Sequence, residues 1–235
     1  MHASGGLKLL ILGRGKTGAL VAEVARERNH NGAALGSAEN QHASGLTAEA
    51  LAKVDMVIDF TTPVAVLENI AACARHRVSM VVGTTGWQAE MDRVRELVRE
   101  SGIGFCYGSN FSLGVNIFFR IAEAASAAVP NGYAVRIMER HHAQKKDAPS
   151  GTAVTLRRLL NPENPQSIDI TSLREGDAVG QHVIFLDSEN DTMMLVHDAK
   201  SRRGFAEGAV RAAEWLRGKR GFFEFKDLLQ ELGRP

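Results

Sequence analysis

Apolar residues follow two rhythms along this chain. In the first half, short, mostly apolar runs at 7–12, 54–60, 78–83 and 103–107, with a weaker one at 33–36, have the length and density of buried strands. Between them, the segments 19–28, 63–76 and 88–101 carry apolar positions at helical spacing. Apolar strands alternating with amphipathic helices predict an α/β domain with a parallel, Rossmann-type sheet covered on both faces. Beyond Gly114 the rhythm changes. A helix of mixed apolar and small residues is predicted to about Val129. A strand follows over 133–139, where side chains alternate between faces, and then a helix over 152–160. Further strands are predicted at 168–171, 182–187 and 192–197, the last two joined by the polar turn 188–191. Strands now follow strands, so a smaller α+β domain with an open mixed sheet is expected. A helix over 205–217 returns with Ala206, Ala209, Val210, Ala213 and Leu216 on one face, and 222–229 closes the pattern.

The first candidate chemistry lies where the first strand meets its helix. Gly13-Arg14-Gly15-Lys16-Thr17-Gly18 has the G-x-G-x-x-G spacing of a dinucleotide-binding turn. Its glycines permit the tight turn, the approach of backbone to a pyrophosphate, and close helix packing. A glycine-rich turn alone can be only a turn; the alternation of strands and helices around it is what supports a nucleotide. Two further loops, Asp59-Phe60-Thr61-Thr62-Pro63 and Gly83-Thr84-Thr85-Gly86, fall where strands give way to helices, and in open α/β sheets ligands bind beyond the carboxyl ends of the strands.

The densest chemistry is in Glu139-Arg140-His141-His142-Ala143-Gln144-Lys145-Lys146-Asp147-Ala148-Pro149-Ser150-Gly151-Thr152. Pro149 disfavours helix at Ala148 and lacks a donor itself, so the imidazoles and ammoniums are expected on a loop between a strand and a helix capped by Ser150. The free N–H groups of that helix start favour an anion. The constellation suits binding a small acidic molecule and giving it a proton. Two histidines and Lys145 so close repel one another unless an anion compensates. A metal is not expected: no cysteine or carboxylate sits at zinc-ligand spacing, and Lys145 would repel the ion.

Composition narrows the picture. The 235 residues suffice for one large core or two modest ones, and 44% hydrophobic with 23% charged residues is ordinary for a soluble globular protein. A net charge of +1 gives no electrostatic reason for nucleic acid or acidic lipid as a partner. No signal-peptide pattern follows Met1 and no apolar run approaches a membrane span. Cys73 and Cys106, each inside an apolar segment, read as buried reduced thiols. A cytoplasmic protein is expected.

The run Glu139 to Thr152 resembles the signature of the 4-hydroxy-tetrahydrodipicolinate reductase (dihydrodipicolinate reductase) family, Glu-x-His-His-x-x-Lys-x-Asp-x-Pro-Ser-Gly-Thr, at every fixed position. The loops 59–63 and 83–86 are similar to that family's Asp-Phe-Thr-x-Pro and Gly-Thr-Thr-Gly, and Asn110-Phe111-Ser112-Leu113-Gly114-Val115-Asn116 to its Asn-Phe-Ser-x-Gly-Val-Asn. Ser201-Arg202-Arg203-Gly204-Phe205 resembles its Ser-Arg-x-x-Phe. The resemblance implies reduction of a cyclic dicarboxylate in diaminopimelate and lysine biosynthesis, with NADH or NADPH as cofactor. It implies a discontinuous dinucleotide-binding domain, 1–111 with 204–235, and a substrate-binding and oligomerisation domain, 112–203, in a homotetramer. His141 and Lys145 are then catalytic, His141 as the acid or as the group that orients it, and His142, Gly151 and Thr152 hold substrate carboxylates. Gly13, Arg14, Gly15, Lys16, Thr17, Gly18, Phe60, Gly83, Thr84, Thr85, Ser109, Asn110, Phe111, Arg202 and Phe205 are the expected cofactor contacts.

Three departures from the family pattern stand out. The phosphate loop is one residue short of the commoner G-x-x-G-x-x-G. No clear acid ends the second strand, Glu39 being the nearest and readable as merely solvated. The region 160–167 is brief. Two other readings remain open: a different two-domain nicotinamide oxidoreductase acting on an amino-acid-derived substrate, and a nucleotide-binding redox sensor without turnover. A sensor has no use for His141 and Lys145 together.

Overall fold

The computed structural model describes residues 5–232. Two compact units divide the chain, one running to Ser112 and resuming at Arg203, the other spanning Leu113–Arg202.

The first unit opens with β1 (Lys8–Leu12), α1 (Lys16–Glu27), β2 (Asn31–Leu35), the short α2 (Ala48–Leu51) and β3 (Met56–Asp59). It continues through α3 (Pro63–Arg75), β4 (Ser79–Val82), α4 (Met91–Ser101) and β5 (Gly104–Tyr107). The second unit holds α5 (Leu113–Ala125), β6 (Ala134–His141), α6 (Gly151–Leu160), β7 (Asp169–Arg174), β8 (Gln181–Asp187) and β9 (Thr192–Asp198). The chain then re-enters the first unit as α7 (Arg203–Leu216), β10 (Gly221–Glu224) and α8 (Phe225–Leu232).

Six parallel strands in the order β2-β1-β3-β4-β5-β10 form the first sheet. Every residue of β3 is buried, as a strand covered on both faces requires. Below the sheet, Val66 and Ile70 of α3 and Val94 and Val98 of α4 pack with Leu10, Leu12, Val57, Met80, Val82 and Phe105. Helix starts are written into the sequence: Thr62 caps α3 by accepting from Ala65 N, with Pro63 at the first helical position, where a missing N–H costs nothing. The strand order reverses between β1 and β3, the topological switch point at which such sheets open a crevice.

The second sheet is mixed, in the order β7-β6-β8-β9. Strand β7 runs parallel to β6 after the α6 crossover, whereas β8 and β9 are antiparallel neighbours. Phe118 and Ala122 of α5 and Leu156 and Leu160 of α6 cover one face, over Ile137, Ile184 and Leu186. By strand alternation the opposite face carries Leu173, Met194 and Val196, which are 38%, 58% and 54% exposed.

Four expectations shift in detail. Strand β2 begins at Asn31, because Asn31 N donates to Leu7 O at 2.9 Å and pairing with β1 runs from Lys8 opposite Asn31. The helix expected to Val129 ends at Ala125 in a tighter 3₁₀ segment, Ser126–Asn131, closed by Gly132 at a φ of 85°. Residues 222–229 divide into the end of β10 and the start of α8. Strand β6 extends to His141, so the first imidazole belongs to the sheet and only His142 onward to the loop.

Candidate active site

At the carboxyl end of β1, Gly13 has a φ of 100°, and a Cβ there would meet Phe60 O at 2.2 Å. Gly18 packs as closely, its Cβ position lying 1.9 Å from Gly13 O. These two glycines let the turn fold against β3 and α1 against the turn. Gly15 is different. Nothing lies within 4 Å of its Cβ position, and as the N-cap of α1 it brings no side chain to the first-turn N–H groups of Lys16, Thr17 and Gly18. That open, donor-lined turn has the shape and polarity a pyrophosphate needs.

Beside it, a cavity of about 910 Å³ is lined by Gly13, Arg14, Gly15, Glu39, Phe60 and Thr61, among others. Glu39 is not merely solvated. Its Oε1 meets Arg14 Nη1, its Oε2 accepts from Gly36 N at 2.9 Å, and Arg14 Nη2 donates to Ala34 O at 2.9 Å. Slight desolvation is outweighed by N–H donation from its own backbone and from Gly36 and by Arg14, so its carboxyl lies below the usual range. Contacts in three dimensions, invisible in the strand pattern, place an acid at the end of β2 after all.

Asp59 organises the next two loops. It is fully buried at the end of β3. Its Oδ1 accepts from Thr61 N (2.9 Å), Thr61 Oγ1 (2.7 Å) and Thr84 Oγ1 (2.6 Å), and its Oδ2 from Asn69 Nδ2 (2.7 Å). Asn69 Oδ1 in turn accepts from Asn40 Nδ2 at 2.9 Å. One carboxylate thus ties together the loops after β2, β3 and β4. Burial pushes its pKa up, against the hydrogen bonds from Thr84, Thr61 and Asn69. Phe60 lies against Gly83, whose Cβ would fall 2.2 Å from the ring, so glycine at 83 is required by space. Thr85 and Ser109 are exposed and Asn110 partly buried, whereas Phe111 is buried between Phe60 and Phe225, leaving it only main chain to offer a ligand. Phe205 is partly buried near the start of α7.

In the second unit, His141, His142, Lys145, Gly151 and Thr152 gather around the β6–α6 connection, and Arg202 joins them, its Nη2 3.3 Å from His142 Nε2. Lys145 Nζ donates to both carboxylate oxygens of Asp147, at 2.7 and 2.9 Å. That ion pair, with both partners inside the signature, holds the Asp147 carboxyl below its ordinary range. Ser150 Oγ accepts from Ala153 N and caps α6 as expected. Nothing lies within 4 Å of the Gly151 Cβ position, so the start of this helix is also open to an anion.

Three residues around His141, two buried and one partly buried, are not among the site residues expected from the sequence. Glu139 is fully buried; its Oε1 accepts from Arg174 Nη2 at 2.7 Å and Ser150 N at 3.3 Å, and its Oε2 contacts His141 Nδ1. His182, opposite Glu139 on β8, lies 3.1 Å from Ser150 Oγ and edge-on to His141, with ring centroids 5.2 Å apart. Burial pushes the His182 pKa down to about 3 and also lowers that of His141; for His141, Lys145 and Arg174 add to the lowering and Glu139 opposes it. Glu139 stands in the signature and could have been flagged; Arg174 and His182 come from other strands, and only register brings them here. The ligand atoms of Glu139, His141 and His182 lie within 4.8 Å of one another, the one such metal-capable trio among the described residues. Arg174 already neutralises the carboxylate, which opposes adding a cation there.

Residues 7–111 match the family profile described as dihydrodipicolinate reductase, N-terminus, and residues 114–229 that of its C-terminus. The 4-hydroxy-tetrahydrodipicolinate reductase of Christiangramia forsetii is 36% identical over 96% of this chain and 99% of its own length. That of Chromobacterium violaceum is 38% identical over 77% and 75%. Among solved structures, dipicolinate-bound dihydrodipicolinate reductase from Paenisporosarcina sp. TG-14 superposes with a TM-score of 0.78 at 24% identity, over 94% of this chain and 99% of that one. Aspartate dehydrogenase from Thermotoga maritima shares the fold more loosely, with a TM-score of 0.51 at 15% identity. Two profiles that between them span nearly the whole chain, and a relative matched from end to end, establish that this chain belongs to the dihydrodipicolinate reductase family.

Proposed function

We propose that the protein reduces 4-hydroxy-tetrahydrodipicolinate to tetrahydrodipicolinate in diaminopimelate and lysine biosynthesis, using NADH or NADPH, with hydride and a proton added and the 4-hydroxyl lost as water. The observation that carries this reading is the β6–α6 connection, where two histidines and Lys145 meet an open helix start within a chain of this family. The first unit is the dinucleotide-binding domain. The turn Gly13–Gly18 would hold the pyrophosphate, and Phe60, Gly83, Thr84, Thr85, Ser109, Asn110 and Phe111 would line the approach, the last through its backbone. Phe205 completes the set, whereas Arg202, expected there too, belongs to the second unit beside His142. The open Cβ position at Gly15 and the uncapped start of α1 fit a nicotinamide dinucleotide. When bound, that cofactor supplies the hydride.

The second unit binds substrate. Helix α6 meets a carboxylate with the N–H groups of Gly151 and Thr152, and His142 beside Arg202 meets the other. Lys145 gives the proton that the reduced ring requires and stabilises the developing negative charge. His141, kept neutral by burial, orients the reacting group or relays that proton. Both cofactors bind with modest discrimination. Glu39 can accept from a ribose 2′-hydroxyl, while Arg14 and Lys16 supply charge for a 2′-phosphate. The uncovered sheet face with Leu173, Met194 and Val196 is the surface on which a homotetramer assembles, and the setting is cytoplasmic.

The test mixes purified protein with enzymatically generated substrate and each reduced cofactor, following loss of cofactor absorbance. Oxidation that depends on substrate supports the proposal. Tight cofactor binding without any oxidation would overturn it and leave the redox-sensor reading.

A further inference from the structure

Glu139 does not touch solvent, and it stands two residues before His141 on β6, so both side chains leave the same face of the strand. A carboxylate buried this deeply must be compensated. Arg174, at 2.7 Å, does so on one oxygen, helped by the Ser150 N–H. The second oxygen is turned to His141 Nδ1. An ionised carboxylate only accepts, so the ring nitrogen facing it carries a proton. Because Arg174 already balances the charge, His141 need not be doubly protonated to keep the pair neutral. The neutral tautomer this contact favours has Nδ1 protonated beside Glu139 Oε2 and a lone pair on Nε2.

The other edge of the ring packs closely on the buried Gly180. A Cβ at Gly180 would lie 3.0 Å from His141 Nε2 and 3.3 Å from Cδ2. Gly180 is not among the glycines with positive φ, so its backbone could be adopted by any residue. The space above Nε2 is what calls for glycine. Gly180 O is fixed by Ala199 N at 2.9 Å, and the His182 ring, steadied by Ser150, stands edge-on to His141.

We propose that Glu139 and Gly180 are positioning residues for His141: Glu139 pins its Nδ1 side, and Gly180 keeps its Nε2 edge open to substrate. This rests on reading His141 as part of the reductase machinery. Both act through His141 and neither need touch a ligand.

Long-range ¹H–¹⁵N correlation of the wild-type histidine rings tests the first half directly. His141 is expected with Nδ1 protonated and Nε2 unprotonated near neutral pH; the opposite tautomer would overturn the proposal. Glu139→Gln, which can offer a donor in place of an acceptor, should shift His141 toward the Nε2–H tautomer and lower kcat about tenfold or more, leaving KM for cofactor unchanged. Loss of the carboxylate also moves the acidic limb of the kcat profile to lower pH, because Glu139 favours the protonated imidazole. Gly180→Ala should lower kcat about fivefold or more with the tautomer intact, and should cost nothing further in a His141→Ala background. An equal, additive loss in that background would assign Gly180 a structural role and sink its half of the proposal. If Glu139→Gln does not fold, the wild-type spectrum and the Gly180→Ala cycle still decide. His141→Ala with wild-type kcat would instead overturn the underlying catalytic reading, whatever the tautomer.

Discussion

Removing the Asp59 carboxylate tests how far one buried acid holds the nucleotide side of the molecule together. Four donors point at it, two from Thr61, one from Thr84 and one from Asn69. In Asp59→Ala the Thr61 groups, at the partly exposed loop, can turn to water. Asn69 is fully buried and Thr84 nearly so, and their donors would be stranded. Each stranded donor costs about 1–3 kcal/mol, so the variant should lose roughly 4 kcal/mol. That is a large share of the ~5–15 kcal/mol typical of a domain. Asp59→Asn keeps one acceptor but sets an amide against Asn69 Nδ2. The mismatch can be passed by flipping Asn69 and then Asn40 until it reaches Gly45 N, which now donates to Asn40 Oδ1 at 3.2 Å. A smaller loss, about 1–3 kcal/mol, is expected. Urea unfolding with an unchanged m-value measures both, and titration of cofactor fluorescence should show weaker binding in each because the loops after β3 and β4 loosen. A loss below about 1 kcal/mol in Asp59→Ala would refute the reasoning, since the stranded donors alone exceed it.

Other expectations follow from single residues. His182, unprotonated in the fold down to about pH 3, must take up a proton on unfolding in acid, so its stabilisation is complete above its ordinary pKa near 6.5 and is lost as pH falls toward 3. The loss is at most about 5 kcal/mol, and His182→Gln should flatten the stability–pH curve in that window by up to about 1.4 kcal/mol per pH unit. Glu214, whose pKa is lowered by Arg28 and His30 despite partial burial, contributes stability above the usual carboxylate pKa that disappears as pH falls through its lowered value. With both partners about one-third exposed, Glu214→Gln should cost about 1 kcal/mol at neutral pH by thermal melting, and nothing once the carboxylate is protonated. Lys145→Ala and His141→Ala should each lower kcat about a hundredfold with cofactor binding intact; wild-type turnover in both would sink the assignment of the loop. Lys16→Glu should weaken NADPH more than NADH in parallel titrations, and equal weakening would count against a phosphate role.

Much of this molecule could be read from its residues because local signals agreed with the global fold. Thr62-Pro63 and Ser150 fixed helix starts, and continuous apolar runs marked strands covered on both faces. The tight turn after β1 was legible because only glycine tolerates the approaches at 13 and 18. What could not be read depended on register. Glu39 is tied to Arg14 across a turn, and Asn40 reaches Asp59 only through Asn69. Arg174 and His182 meet Glu139 because β7 and β8 flank β6 at one particular offset, and one residue of slip would send each to the opposite face. Strand β6 ran two residues longer than expected because polar Arg140 and His141 still find partners in Leu173, Arg174 and Gln181.

The return of the chain to its first sheet has a consequence for how the protein is made. Strand β5 ends at Tyr107, and its outer neighbour begins only at Gly221. During synthesis at ~5–20 residues per second, the edge of β5 waits on the order of ten seconds for its partner. Over that interval Phe105 lacks the Phe222 ring that finally stacks on it, centroids 5.2 Å apart, and Phe111 lacks Phe225. The 113–202 segment, whose strands all pair among themselves, emerges whole in the meantime and can complete its own sheet. The sheet that starts first can therefore be completed only last. A nascent chain stopped short of Gly221 would present an unpaired parallel edge and two aromatic rings to whatever chaperone or neighbour is nearby.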